Sequence, residues 1–164
     1  MPGFIADPVH VHRVRVGFGD CDPAGTVYFP RFFHFFHEAM EGWFDDVLGL
    51  RYADMVNVRK LGFPAVHTEA DFRSPVVMGQ EIAVELRVVQ LGRSSIHLAY
   101  VVRLVGAPAD DVRLVGATVC VVMDLDPQRP TFRRAVPLPD DLRGRIVPLV
   151  APVALPTTVE ADGK

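Results

Sequence analysis

The 164-residue sequence predicts an α+β fold, with one long central helix wrapped by an antiparallel sheet. Three observations predict it. Eight of the fifteen aromatic side chains fall within the 21 residues 28–48, where apolar residues recur three and four apart. Residues 81–91, 96–104 and 112–123 instead alternate with the period of two that marks half-buried strands. Turn-forming clusters such as Gly92-Arg-Ser-Ser95 separate these runs, so consecutive strands pair as a meander.

The elements follow in order. Over 9–18, Val14, Val16 and Phe18 alternate with Arg13, Arg15 and Gly17, the pattern of a first strand. His10 and His12 share one face of it and are expected to be solvent-exposed. The stretch 19–25 (Gly-Asp-Cys-Asp-Pro-Ala-Gly) is dense in turn formers and reads as a loop. Pro30 suits a first helical turn and Gly49 a C-terminal cap, so the helix is expected over 30–48. Phe32, Phe35, Phe36, Ala39, Met40, Trp43 and Val47 trace its apolar face. A short helix is expected near 52–61, ended by Gly62-Phe-Pro64, and a weaker strand over 65–73. After the three long strands, an edge strand over 131–135 and a helical turn over 139–145 are expected. The sequence 147–164 carries Pro148, Pro152 and Pro156 without periodicity and reads as an extended or disordered tail. One domain over 1–146 is therefore expected. One sheet of this length covers only part of so apolar a helix, and dimerisation is the natural way to bury the rest.

Composition excludes several classes. Seventeen Lys and Arg against twenty Asp and Glu give a net charge of −3, which argues against a nucleic-acid partner. No apolar run is long enough for a transmembrane helix. Residues 1–7 lack the basic stretch and apolar core of a signal peptide, and two cysteines make no disulfide framework. A reduced, cytoplasmic location is the expectation.

The chemistry concentrates in the loop before the helix. Asp20 and Asp22 lie two apart beside a helix start, where unpaired N–H groups and the positive dipole end can hold a developing oxyanion. Those parts suit acyl transfer, and Gly25 lets the backbone approach a ligand. Alternatively, the two acids do no more than shape a turn and offset the dipole. His34, His37 and Glu38 suggest a metal, but no third ligand site is evident and none is expected. Cys21, between two acids, makes a poor nucleophile, and Cys120 reads as core.

Gly19-Asp-Cys-Asp-Pro-Ala-Gly-Thr-Val-Tyr-Phe-Pro-Arg-Phe-Phe33 resembles the signature of the 4-hydroxybenzoyl-CoA thioesterase family of hotdog-fold proteins. Asp71-Phe-Arg-Ser-Pro75 and Leu91-Gly-Arg-Ser-Ser-Ile96 resemble the family's later segments. The resemblance implies a hotdog fold and an acyl-CoA thioesterase. It assigns Asp22 as the catalytic carboxylate, either nucleophile or general base, and the backbone N–H of Phe29 as oxyanion donor. It implies substrate-binding roles for Gly25, Tyr28, Phe33, Phe36, His37, Gly62, Pro64, Arg93, Ser94 and Ser95. An aromatic or short-to-medium acyl-CoA, a homodimer or homotetramer, and no metal or cofactor complete the expectation. Alternatives are a hydratase or dehydratase on the same fold, which needs a His paired with a carboxylate, and a non-catalytic acyl-CoA-binding protein.

Overall fold

The computed structural model describes residues 6–151. In chain order its elements are β1 (His10–Arg15), α1 (Pro30–Trp43), α2 (Tyr52–Asn57), β2 (Leu61–Gly62), β3 (Ala65–Phe72), β4 (Glu81–Leu91), β5 (Ser95–Leu104), β6 (Val112–Val121), β7 (Met123–Asp124) and α3 (Asp140–Ile146). Five strands form one antiparallel sheet in the spatial order β1-β4-β5-β6-β3, and β2 pairs with β7 in a small second sheet. This is the expected hotdog arrangement, a helix held against a curved antiparallel sheet.

The period-two strands place every second side chain on the helix. Ile82, Val84, Leu86 and Val88 of β4 and Ile96, Leu98, Tyr100 and Val102 of β5 are all buried. They meet Phe32, Phe35, Phe36, Ala39, Met40 and Trp43, the buried stripe of α1. This interface forms the centre of the apolar core that stabilises the domain.

Val47 breaks the expected stripe. The last turn of the helix, Phe44–Leu48, is a π-helix, ended by Gly49 in the left-handed conformation at φ 62°. The wider π turn rotates the following residues, so Leu48 is buried and Val47 is exposed. The histidines of β1 also depart from expectation. His10 and His12 point toward α1 and are half-buried, and His12 Nε2 lies 3.6 Å from the Glu38 carboxylate. Burial lowers the His10 pKa, with Asp46 opposing the shift.

No strand forms over 131–135. The buried Asp124 carboxylate instead gathers the Thr131 hydroxyl, the Asp126 N–H and Arg129, and the segment folds into turns with one bridge, Ala135 to Met123. At the end of the domain Val147–Leu149 make a 3-10 turn, and the Ala151 N–H donates to the Val88 carbonyl. Residues 147–151 of the expected tail are thus seen against the domain, and 152–164 lie outside the described residues.

Candidate active site

The loop between β1 and α1 is a tight turn. The Gly25 N–H donates to the Asp22 carbonyl and the Asp22 N–H to the Thr26 carbonyl, both at 2.9 Å. Gly25 closes the turn at φ 79°, a conformation that costs about 1–2 kcal/mol with a side chain present. Gly25→Ala is therefore expected to lower stability by about that amount, read as a shift in the urea midpoint. The turn is tied down by the Val27 N–H, which donates to Val76, and by the Met78 N–H, which donates to Gly25.

The two acids of the loop have different partners. Asp20 is engaged: its carboxylate accepts from the Gly17 N–H at 2.9 Å and pairs with Arg31 at 2.6 Å. Burial acts to raise its pKa, but the Gly17 N–H and Arg31 outweigh it and hold the carboxyl below its usual range. Asp20 thereby ties the loop to the first turn of α1. Asp22 is half-buried and meets no cation among the described residues. Its Oδ1 accepts from the Ala24 N–H at 2.9 Å and lies 3.5 Å from the Thr26 hydroxyl. One carboxylate oxygen remains available to a ligand.

Asp124 and Asp141 are held low as well, the first by the Thr131 hydroxyl and the second by the Arg59 guanidinium. A carboxyl whose folded pKa lies below its unfolded one adds stability above the unfolded value, about 3.9. That contribution is lost as pH falls through the folded value. The denaturant midpoint should therefore hold from pH 7 to about 5 and fall below about 4. Urea titrations at pH 6 and pH 3 check this, and an equal midpoint at both refutes it.

Of the donors at the start of α1, one is left over. Pro30 has no N–H, the Arg31 N–H donates to Tyr28 and the Phe32 N–H to Phe29. The Phe29 N–H has no acceptor among the described residues. It sits at the positive end of the helix dipole, beside a side chain 58% exposed. Tyr28 is also exposed and rests edge-on against Phe29.

Further along α1, a cavity opens between the helix and the β3 side of the sheet. Phe33, Phe36, His37 and Met40 line it from the helix, Phe63 and Tyr100 from below. Phe36 is buried and stacks on Tyr100 with centroids 4.1 Å apart. His37 is exposed, paired with Glu41 at 3.0 Å and edge-on to Tyr52. Gly62 and Pro64 are not among the lining residues: Gly62 is buried in β2 and the Pro64 carbonyl accepts from Val121. The residue between them, Phe63, lines the wall instead. Two hydroxyls in the wall, Thr68 and Thr118, escaped the sequence reading. Thr118 interrupts the inward row Leu114, Gly116, Cys120 of an otherwise apolar strand, and that interruption was the available signal. Burial pushes the nearby Cys120 thiol up to about 11, which leaves it protonated and unreactive at neutral pH.

Arg93, Ser94 and Ser95 form the β4–β5 hairpin. The Ser94 carbonyl accepts from Val122, and the Ser95 hydroxyl lies 3.3 Å from His97. Arg143 of α3 donates to the Gly92 and Arg93 carbonyls at 2.6 and 3.0 Å. The hairpin therefore carries a second guanidinium, from a residue 50 positions away in sequence. The Asp22 turn is bonded to Val77 and Met78, just ahead of the start of β4, whereas the hairpin follows its end. Eleven residues of extended strand put them roughly 35 Å apart within one protomer.

The antiparallel sheet and the long helix held against it define a hotdog-fold protein. Comparisons with known proteins narrow this. Residues 16–146 match the family described as the Thioesterase-like superfamily, and the chain belongs to that family. A thioesterase superfamily structure from Jannaschia sp. CCS1 is 30% identical with a TM-score of 0.78, covering 92% of this chain and 99% of its own. The crystal structure of a 1,4-dihydroxy-2-naphthoyl-CoA thioesterase from Synechocystis is 26% identical with a TM-score of 0.71, over 84% and 94% of the two chains. A 1,4-dihydroxy-2-naphthoyl-CoA hydrolase from Synechococcus elongatus is 34% identical over 86 residues, 52% of this chain and 62% of the relative. The alignment thus spans less than two thirds of that relative. No helix among the described residues is long and apolar enough to cross a membrane.

Proposed function

We propose that this protein is an acyl-CoA thioesterase acting on an aromatic acyl group, through Asp22 and the Phe29 N–H. The observation that carries the reading is a carboxylate with one oxygen open to a ligand, seven residues before a helix-start N–H that has no acceptor among the described residues. Asp22 either attacks the thioester carbonyl, expelling coenzyme A as thiolate and leaving a mixed anhydride for water to open, or deprotonates the water that attacks. In both routes negative charge builds on the carbonyl oxygen, and this reading assigns the Phe29 N–H as the donor that receives it. One such donor is worth about 3–4 kcal/mol in the transition state. The chemistry requires no metal and no redox cofactor.

Relatives named for a naphthoyl-CoA substrate, and the aromatic walls of the cavity, support an aroyl group. The backbone of the Arg93–Ser95 hairpin and the two guanidiniums around it suit the phosphates of coenzyme A. The site reads as shared by a homodimer, in which the hairpin of one protomer serves the acid loop of the other. The separation of those two parts along β4 supports this, as does β3, a sheet edge whose Val66 and Phe72 are exposed. Within one protomer the parts stand too far apart for one ligand. A homotetramer of two such dimers fits the same logic.

The purified protein, given a panel of aroyl- and alkanoyl-CoA esters, should release free thiol fastest from aroyl members. Release from no member of the panel refutes the reading. Sedimentation at the mass of a single chain refutes the shared site.

A further inference from the structure

The floor of the cavity is apolar except along one line. Thr68 of β3 and Thr118 of β6 are cross-strand partners in register, and their hydroxyl oxygens lie 3.2 Å apart. The Thr68 hydroxyl also reaches the Ala117 carbonyl at 3.3 Å. Thr118 is only 8% exposed, and Tyr100 lines the same cavity. Burial holds the Tyr100 pKa well above 10, so the phenol keeps its proton. Around these three groups the cavity is lined by Phe33, Phe36, Met40, Phe63, Ala65 and Cys120, with His37, paired to Glu41, as its other polar side chain. The cavity begins at Phe33, one helical turn beyond Phe29.

We infer that the hydroxyl row of Thr68, Thr118 and Tyr100 selects aromatic acyl groups that carry a ring hydroxyl. The inference rests on the thioesterase reading above and adds to it the residues that choose among aroyl esters. Three hydroxyls offer both donors and acceptors and can rotate to suit a phenolic group. An unsubstituted ring displaces water from them and returns no hydrogen bond, which an apolar wall would not penalise. Phe36, held flat by its stack on Tyr100, and Phe33, edge-on to Phe36, supply faces for the ring itself.

The competing explanation is that the Thr pair only stitches β3 to β6. The test separates the two. Values of kcat/KM are measured for benzoyl-CoA and the three monohydroxybenzoyl-CoA isomers, with wild type, Thr118→Val, Thr118→Ser and Thr68→Val, alongside thermal melts. Wild type should prefer at least one hydroxylated isomer over benzoyl-CoA by roughly tenfold. Thr118→Val should shrink that ratio to about threefold or less, and Thr118→Ser, which keeps the hydroxyl, should restore it. Thr68→Val, on the exposed edge strand, carries the same test if Thr118→Val fails to fold. Valine variants that lower stability but keep the wild-type ratio overturn the inference. So does a wild type that hydrolyses all four esters without preference, and that result leaves the thioesterase reading standing. Hydrolysis of no ester removes both.

Discussion

Asp22→Asn is expected to keep the fold and its melting temperature while lowering kcat by about 10²–10⁴. The amide has the shape of the carboxylate, and its oxygen can still accept from the Ala24 N–H that sets the turn. What it loses is charge. An amide neither attacks a thioester nor takes a proton from water, so both routes close together. Asp20→Asn should behave in the opposite sense. It weakens the pairing with Arg31 and the bond from Gly17, so its first effect is on stability and loop position. Thiol-release kinetics with circular-dichroism melts distinguish the two, and an Asp22→Asn enzyme with full activity refutes the assignment.

Gly116→Ala should destabilise the protein by about 1–3 kcal/mol, although it adds a single methyl group. A Cβ at this position on β6 would sit 2.5 Å from two ring atoms of Phe36 and 3.0 Å from the Glu69 carbonyl oxygen. The backbone oxygen belongs to β3 and cannot yield without disturbing the strand pair. Phe36 would have to leave its stack on Tyr100 and swing toward the cavity. For a chain of this size each kcal/mol lowers the melting temperature by about 2–4 °C. KM for an aroyl ester should rise as well, because the displaced ring occupies substrate space. An unchanged melting temperature would show that the sheet relaxes more freely than this packing implies.

Most of the fold was legible because its elements are locally encoded. Alternation marked β4, β5 and β6 closely, and Pro30 and Gly49 marked the ends of the long helix. The misses have physical causes. The π turn after Trp43 has no residue signature of its own, so the apolar stripe was ended on Val47, one position short of the buried Leu48. The segment 131–135 was expected as a short edge strand, but the Asp124 carboxylate takes Thr131 and Arg129 as partners and the chain folds into turns there. In the site, the sequence picked out both loop acids and left open whether they do chemistry at all. The second acid was favoured through a family likeness. Geometry separates the two, because Arg31 and the Gly17 N–H are spent on Asp20. Thr68 with Thr118, and Arg143 with the hairpin, were invisible for a simpler reason. Each pairing joins residues about fifty positions apart, and no local pattern encodes such a meeting.

In the proposed mechanism the Phe29 N–H, which has no acceptor among the described residues, also bears on how this protein can vary. A hydrogen-bond donor that belongs to the main chain is present whatever side chain residue 29 carries. Alanine scanning would pass over it, and drift at that position could proceed without touching the chemistry. Only proline, which deletes the N–H, or an ester in place of the amide, would register a loss. Pro30 fixes where the helix begins and so which amide is left over. The constraint therefore falls on the neighbour of the working group and not on the residue that bears it.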